Sequence, residues 1–360
     1  MQHEKPVIIV SEAGGVLARN FVDSLNLCSE ECDFIGISSD PYELELSGLK
    51  DNYLVPNANN PKFIPFIQKI VKKYKPHLFH SQHDMVIKVI SEHRKKLGVN
   101  CFLPDKKTIQ NCVNKFASNK IWTGAGLNVP KSLLLNNYND LKRAFKELKK
   151  PFWIRANEGG GGYGAVKTDS MEFARNWVDY FNGWGNFSIA EYIGRNSVTW
   201  SSIWYHGELI VAQGRKRIKW LLANRTLSGV TGVTGVGVTF SDGEIDRNAI
   251  DAIKAVDKNP HGIFSVDFTL NEKGTPFLTE INIGRFFTTI YFFARAGLNM
   301  PKIYVDLALY GKKPKISKKL NPLPDNLVWI RGMDIAPILV PLSKIKKIES
   351  EFTKEYRKIR

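Results

Sequence analysis

The alternation of apolar and polar residues is clearest in the segment 264–285, FSVDFTLNEKGTPFLTEINIGR. Every second residue of its first half is apolar, which is the period of a strand with one buried face. These residues are Phe264, Val266, Phe268 and Leu270. The turn-forming residues 271–274 come next, and a second strand-like run follows them. The segment is therefore predicted to form a β-hairpin.

Three oxygen-bearing side chains fall on one face of this hairpin. If Asp267 lies opposite Leu278, Glu280 is its diagonal neighbour across the strands. Asn282 is two residues further along, so it shares the face of Glu280. Two neighbouring carboxylates repel each other unless a cation lies between them, and Mg²⁺ binds hard oxygen ligands together with substrate phosphates. A solvated polar face of an edge hairpin is the alternative.

The N-terminal third alternates between strand-like and helix-like segments. A β-branched run at 5–11 precedes two glycines and the helical spacing of 16–25, the opening of a doubly wound α/β unit. Asp40 follows the second strand, where a dinucleotide-binding domain has an acidic residue against a ribose hydroxyl. Because EAGGVLARN lacks the third glycine of that fingerprint, we predict a Rossmann-like shape without the cofactor. The residues from His80 to Asp84 are expected to form a ligand-facing loop at a strand end.

A glycine-rich loop lies between two further predicted strands, 152–156 and 165–167. Five of the six residues at 159–164 are glycine, and such a loop leaves backbone N–H groups free to surround polyphosphate oxygens. Arg155 precedes the loop and could hold two phosphate oxygens at once. No Gly-Lys-Ser/Thr follows, so this is not a Walker A loop. A hairpin tip without function is the alternative.

Composition narrows the choice of function. The 360 residues carry a net charge of +16, mostly from lysines spread in pairs along the chain. Spread charge attracts anionic nucleotides in general, but zinc-finger, RNA-binding and leucine-zipper signatures are missing, so no specific nucleic-acid binding is expected. No apolar run reaches the ~20 residues of a membrane span, and no signal-peptide pattern occurs at the start. The sequence thus predicts a cytoplasmic protein without a membrane span.

In this order the motifs resemble the ATP-grasp superfamily, most closely its carbamoyl-phosphate-synthase-like and biotin-carboxylase-like branch, over about residues 5–310. The resemblance implies a mixed α/β and α+β fold, with an N-terminal Rossmann-like pre-ATP-grasp domain and a two-lobed ATP-grasp domain. The predicted divisions are 1–110 for the first domain, 111–189 for the small lobe with the glycine-rich flap, 190–310 for the large lobe with the metal site, and 311–360 for a basic C-terminal extension.

The resemblance also implies roles for individual residues. The expected phosphate contacts are Lys115, Arg155 and the flap glycines Gly159, Gly160, Gly161 and Gly162. The expected adenine hinge is Glu191, Tyr192 and Ile193, and the expected metal ligands are Asp267, Glu280 and Asn282. Arg285 and Arg217 are expected to act on the substrate carboxylate and the transferring phosphoryl group. The chain departs from the family in having Asn196 or Ser197 where a ribose-binding Glu is usual, and in having Arg285 three residues after Asn282 instead of two.

The implied activity is an ATP-dependent carboxylate–amine, or carboxylate–thiol, ligase that passes through an acyl phosphate. ATP and Mg²⁺, or Mn²⁺ in its place, are the expected cofactors, and a small carboxylate and an amine are the expected substrates. Three alternatives stay open: a kinase-like or carboxyphosphate-forming enzyme that makes no amide, a nucleotide-sugar or NAD(P) module, and a basic nucleotide- or nucleic-acid-binding protein. The sequence leaves the substrates and a homo-oligomeric state undecided.

Overall fold

The computed structural model describes residues 5–29, 32–332 and 340–359. The strands are β1 (Val7–Ser11), β2 (Asp33–Ser38), β3 (Asp51–Leu54), β4 (Leu78–His80), β5 (Ser132–Leu135), β6 (Phe152–Ala156), β7 (Val166–Thr168), β8 (Phe187–Glu191), β9 (Asn196–Tyr205), β10 (Glu208–Trp220), β11 (Thr234–Phe240), β12 (Gly262–Leu270), β13 (Pro276–Ile283) and β14 (Val328–Ile330). The helices are α1 (Val16–Leu25), α2 (Pro41–Leu46), α3 (Phe63–Tyr74), α4 (Asp84–Leu97), α5 (Lys106–Val113), α6 (Lys115–Gly124), α7 (Tyr138–Glu147), α8 (Met171–Tyr180), α9 (Gly243–Val256), α10 (Ile290–Arg295), α11 (Met300–Tyr310) and α12 (Leu342–Lys358). Within the described ranges, no helix is long and apolar enough to cross a membrane.

The N-terminal part is a parallel sheet in the order β3-β2-β1-β4, as the strand–turn–helix pattern predicted. β1 is buried because helices cover both faces of a parallel sheet. The turn before α1 is closed by α2: a Cβ atom on Gly14 would lie 1.6 Å from the Glu43 carbonyl oxygen. Asp40 caps α2 by accepting from two of its backbone N–H groups. That capping role replaces the ribose contact that a dinucleotide-binding domain would have at this position.

Two antiparallel sheets follow. The smaller has the order β5-β8-β6-β7 and packs its apolar face, with Phe152 and Ile154 fully buried, against α7 and α8. The larger has the order β13-β12-β9-β10-β11-β14, and its central strands β12 and β9 are buried along most of their length. α12 packs against α3 of the N-terminal part through Phe352 and Tyr356, which contact Phe66.

The sequence patterns and the observed elements differ in places. The helical pattern of residues 108–125 predicts a single helix, but the structure has two, because Asn114 adopts an extended conformation between α5 and α6 and caps α6 with its side chain. The pattern at 101–104 predicts a strand, but the described structure has no strand there. The C-terminal helix is present, although Arg360 lies outside the described residues. Helices α9 and α11 and strand β5 were not identified from the sequence.

Candidate active site

A cavity of about 590 Å³ lies where the three sheets meet. Its wall includes residues after β1 and β4 of the parallel sheet, the glycine-rich loop of the small sheet, and the hairpin β12–β13 of the large sheet. Lys115, Arg155, Arg217 and Arg285 all line it, together with Asp267, Glu280 and Asn282. Most of the residues singled out in the sequence therefore share one cavity.

The hairpin is confirmed, but its register differs from the predicted one. Asp267 lies directly opposite Glu280, two residues beyond Leu278. One residue of this difference comes from the turn, since Leu270 pairs with Pro276, and the other comes from Thr279, an extra residue that forms a β-bulge between the pairs Asp267–Glu280 and Phe268–Leu278. Asn282 lies two residues beyond Glu280, and its side-chain amide donates to the Asp267 carboxylate over 3.1 Å. The bulge therefore brings the three oxygen-bearing side chains closer than the regular pairing predicted.

The bulge also connects the two antiparallel sheets. A bulge releases a backbone carbonyl from the strand ladder, and the Thr279 carbonyl accepts from Arg155 Nη2 over 2.8 Å. The other end of the Arg155 guanidinium, Nη1, lies 3.9 Å from Glu280 Oε2. Burial lowers the pKa of Arg155, whereas the charge of Glu280 opposes that shift. The guanidinium is thus incompletely neutralised by the protein and can accept an anionic ligand.

Lys115 begins α6 and reaches the same carboxylate. Its Nζ atom lies 3.8 Å from Glu280 Oε2 and donates to the Gly159 carbonyl oxygen over 2.5 Å. The Asn114 side chain caps α6 by accepting from the Ala117 N–H, which fixes where the helix begins. Burial lowers the pKa of Lys115, and the charge of Glu280 opposes this shift. Lys115 therefore joins the glycine-rich loop to the acidic face of the hairpin.

The glycine-rich loop covers the cavity in a conformation that depends on glycine. Gly159, Gly161 and Gly162 have φ values of 93°, 67° and 77°, where L-residues are strained. A Cβ atom on Gly162 would lie 2.7 Å from the Val230 carbonyl oxygen, so the loop packs against the second glycine-rich segment before β11. Gly160 has no such restriction, since its Cβ atom would have only an ordinary contact with Asp84.

Arg285 reaches the cavity although it comes one residue later than the family pattern. Its guanidinium binds both carboxylate oxygens of Asp84, at the start of α4, and also donates to Asn282 Oδ1. Burial alone would lower the pKa of Arg285, but the charge and hydrogen bonds of Asp84 and the charges of Glu280 and Asp267 together outweigh burial and raise it. The predicted ligand-facing loop at 80–84 therefore contributes Asp84 to this site, whereas His80 is buried and stacked on Phe21.

Arg215 belongs to the basic run 215–219, for which the sequence leaves open a substrate-anion site or an exposed strand end. Arg215 is fully buried and donates to the hydroxyl groups of Thr199, Thr234 and Thr289. Thr199 in turn donates to Asp267, and Arg217 Nη2 lies 3.9 Å from Asp267. Alternation along β10 could have indicated that residues 215 and 217 share a face, but their burial depends on packing between strands. Burial lowers the pKa of both arginines.

The expected hinge lies apart from this cavity. Glu191, Tyr192 and Ile193 are not among the described residues that line it. The Glu191 carboxylate accepts from the Lys149 backbone N–H, and the Tyr192 N–H donates to the Pro151 carbonyl. A narrow recess beside the cavity is lined by Ala190, next to the predicted hinge. Ser197, where the family has a ribose-binding Glu, bonds to Arg217.

The residues fit a divalent cation only in the presence of further oxygen ligands. In the described part of the chain, no trio of His, Cys, Asp and Glu side chains is arranged to hold a metal ion. The hairpin offers two carboxylates and one amide oxygen, all in a cavity with cationic side chains that are only partly compensated. This donor set is typical of Mg²⁺ that is bound through one or two carboxylates and the phosphates of a nucleotide.

Comparison with solved structures identifies the fold. A biotin carboxylase domain of 2-oxoglutarate carboxylase from Hydrogenobacter thermophilus, in complex with MgADP, ADP and bicarbonate, superposes with a TM-score of 0.69 and 17% identity over 91% of this chain and 74% of that chain. An L-amino acid ligase from Bacillus licheniformis gives 0.66 and 14%, over 86% and 75%. The chain has the ATP-grasp fold. An N5-carboxyaminoimidazole synthetase from Staphylococcus aureus, complexed with ADP, gives 0.67 and 13%, over 98% and 88%.

The ATP-grasp resemblance drawn from the sequence motifs is thereby confirmed for the fold. No protein-family model matches the chain, and neither does any curated protein sequence. At identities of 13–17% the neighbours share the ATP-grasp architecture, and the activity must be argued from this chain's own residues.

Proposed function

We propose that the protein is an ATP-dependent carboxylate–amine ligase that uses Mg²⁺, or Mn²⁺ in its place. The observation that carries the proposal is the junction of Lys115, Arg155 and Glu280. There, two cations from the small-sheet side lie 3.8 and 3.9 Å from a carboxylate of the large-sheet hairpin, beneath a glycine-rich loop. This combination provides positive charge and backbone N–H groups for a triphosphate and a carboxylate for its cation.

The expected division of work follows from the chemistry of each side chain. Asp267, Glu280 and Asn282 would hold Mg²⁺, which neutralises phosphate oxygens when bound. Lys115, Arg155 and the loop from Gly159 to Gly162 would orient the phosphates and exclude water.

The transferred group and the acid substrate would meet on the arginine side of the cavity. Arg217 and Arg285 would stabilise the negative charge on the transferred phosphoryl group and on the substrate carboxylate. A carboxylate oxygen of the substrate attacks the γ-phosphorus, the bond to the β-phosphate oxygen breaks, and ADP leaves. An amine then attacks the acyl phosphate, inorganic phosphate is released, and an amide is formed.

Several features support ATP as the nucleotide. Neighbours that share the fold are described in complex with ADP or MgADP, and Lys115, Arg155 and Arg217 line the cavity together with the glycine-rich loop. The assignment of Glu191, Tyr192 and Ile193 as the adenine hinge stays a prediction. To bind beside this segment, an adenine ring would have to widen the narrow recess at Ala190. The domain divisions also stay predictions.

The test is an ADP-release screen of the purified chain with ATP and Mg²⁺, across small carboxylic acids with and without amines. Release that requires both an acid and an amine, with a mass-spectrometric amide product, is the expected result. Release that requires neither, at the same rate in Glu280→Gln, would contradict the assignment.

A carboxyphosphate-forming or kinase-like reaction is the second candidate. One neighbour of this fold is described with bound bicarbonate, and the arginines beside the hairpin could hold that anion equally well. Acid-dependent or bicarbonate-dependent ADP release that no amine increases would favour it over the ligase. Product analysis separates the two reactions, because only the ligase yields an amide, which mass spectrometry detects, whereas a kinase leaves a phosphorylated acid, which ³¹P NMR detects.

A further inference from the structure

The cavity has a second polar group, at the end formed by the parallel sheet. Glu12 follows β1, Glu43 lies in the helix after β2, and Gln82 follows β4, and all three line the cavity. β1 and β4 are neighbours at the point where the strand order changes direction. Ligands of open α/β sheets bind at such a point, outside the carboxyl ends of the strands.

Glu12 and Glu43 form a pair of carboxylates. Ser38 Oγ donates to Glu43 Oε2 over 2.6 Å and is 3.4 Å from Glu12 Oε2. Burial, together with the charge of Glu43, raises the pKa of Glu12 to about 7. No lysine or arginine within the described ranges forms an ion pair with either carboxylate. Such a pair has room for one positive charge that the protein does not supply.

Gln82 gives an independent sign of a missing ligand. Its Oε1 atom accepts from the Phe286 backbone N–H over 2.8 Å, which fixes the orientation of the amide. The Nε2 atom has no hydrogen-bond partner in the described structure, although only 2% of the residue is exposed. A buried donor without a partner is destabilising, so its presence in a cavity wall indicates a ligand acceptor.

The charges elsewhere in the cavity set the orientation of a ligand. Arg285 is bound to Asp84, whereas Lys115, Arg155 and Arg217 are only partly compensated. The end of the cavity at the glycine-rich loop thus has cations that are only partly compensated, and the other end has two carboxylates that no described lysine or arginine neutralises.

We infer that Glu12 and Glu43 bind the ammonium group of the acid substrate, with Gln82 donating to an oxygen of the same molecule. The substrate class is therefore a small carboxylic acid that carries a primary amine. This inference deepens the proposed function and rests on it, since the ligase site supplies the other end of the cavity.

The test measures binding without turnover. Ligand-observed saturation-transfer NMR on the full chain with MgADP would use pairs of acids that differ only in one amine: L-alanine and propionate, β-alanine and propionate, 4-aminobutyrate and butyrate, and 6-aminohexanoate and hexanoate. At least one amine-bearing acid is expected to bind, and its counterpart without the amine is expected to bind at least about tenfold more weakly. Equal binding within every pair, or binding of no amine-bearing acid, would overturn the inference.

Matched variants connect the binding to this group. Glu12→Gln and Glu43→Gln keep the shape and remove the charge, and each is expected to weaken the binding of the amine-bearing acid at least about tenfold. Glu45→Gln is the control, because Glu45 lies on the same helix as Glu43, α2, and its carboxylate pairs with Lys344. Thermal unfolding checks that the variants fold. Parent-like binding by Glu12→Gln and Glu43→Gln would also overturn the inference.

The two proposals fail in different ways. If the ligase assignment is wrong, no acid stimulates ADP release, yet the difference within the NMR pairs is unaffected. If only the ammonium site is wrong, acids without an amine stimulate ADP release as well as their amine-bearing counterparts. In steady-state kinetics, Glu43→Gln is expected to raise the KM for the amine-bearing acid at least about tenfold more than the KM for ATP.

Discussion

Two walls of the same cavity, the hairpin β12–β13 and the glycine-rich loop, are held in very different ways. Asp267 on the hairpin is buried and contacts Thr199, Asn282 and Arg217. The loop has positive φ values at four glycines, and a Cβ atom on Gly159 would meet nothing within 4 Å. A small number of close contacts, such as that of Gly162 with Val230, hold the loop, whereas the hairpin is fixed by strand pairing on both sides of β12.

The two walls differ because only the hairpin needs a precise geometry. Carboxylates that share a cation must keep their separation, so strands at the centre of a sheet are suited to carry them. A phosphate cover must admit the nucleotide and then close, so it is suited to a loop with few contacts. If this division is correct, substitutions in the hairpin should remove activity, and substitutions in the loop should weaken nucleotide binding.

The largest effect is expected for Glu280→Gln. The variant keeps the size of the side chain but removes the charge that lies near Lys115 and Arg155. ATP turnover is expected to fall by roughly 10²–10³-fold or more, while the thermal unfolding temperature changes little. Coupled measurement of ADP release, beside circular dichroism of the same preparation, makes the check. A variant with the parental turnover rate would remove the hairpin from the mechanism.

The next largest effect is expected for Arg285→Lys. Lysine keeps the charge but cannot bind both oxygens of Asp84 and still reach Asn282. Loss of one or two charge-assisted hydrogen bonds predicts a decrease in kcat/KM for the acid of roughly 10–100-fold. Lys88→Ala is a suitable control, because Lys88 lies further along α4 and its ammonium group pairs with the exposed Glu158. Equal kinetics in Arg285→Lys and the parent would show that the two-pronged contact is dispensable.

The loop prediction uses two neighbouring glycines. Gly162→Ala combines a strained φ of 77° with a close contact to the Val230 carbonyl, whereas Gly160→Ala has neither. Gly162→Ala is expected to raise the KM for ATP about tenfold, and Gly160→Ala is expected to stay near the parent. Initial-rate kinetics at varied ATP distinguish them. The contrast would be broken if both alanine variants behaved alike.

The smallest effect concerns stability at the parallel-sheet end. The pKa of Glu12 is about 7 in the folded chain against an ordinary value of 4.5, because of burial and the charges of Glu43 and Asp40. The folded state therefore binds the proton more tightly, so stability from this group is present below pH 4.5 and is lost as the pH rises to about 7. Glu12→Gln should remove that loss and be about 1 kcal/mol more stable than the parent at pH 8, with no gain at pH 4. Urea unfolding at both pH values tests this expectation, and an equal gain at both would contradict it.

Much of the fold was accessible from the sequence because the signals are local. The alternation of 264–285 identified both strands of the hairpin, and the run of glycines identified the loop at 159–164. The pattern predicts one long helix through Asn114, because periodicity alone does not distinguish a capping residue from a residue inside a helix. α9 has ordinary amphipathic spacing and carries no chemical motif, which left it unnoticed.

The sequence by itself determined which residues are acidic, basic or glycine, and it placed Asp267, Glu280 and Asn282 on one hairpin. Three features come from the tertiary structure alone. Thr279 forms a bulge whose carbonyl accepts from Arg155, and Arg285 binds Asp84. Glu12, Glu43 and Gln82 meet at one end of the cavity. The physical reason is distance along the chain. Periodicity records which face a residue occupies within its own element, whereas the pairing of side chains some 120–200 residues apart depends on how whole sheets pack.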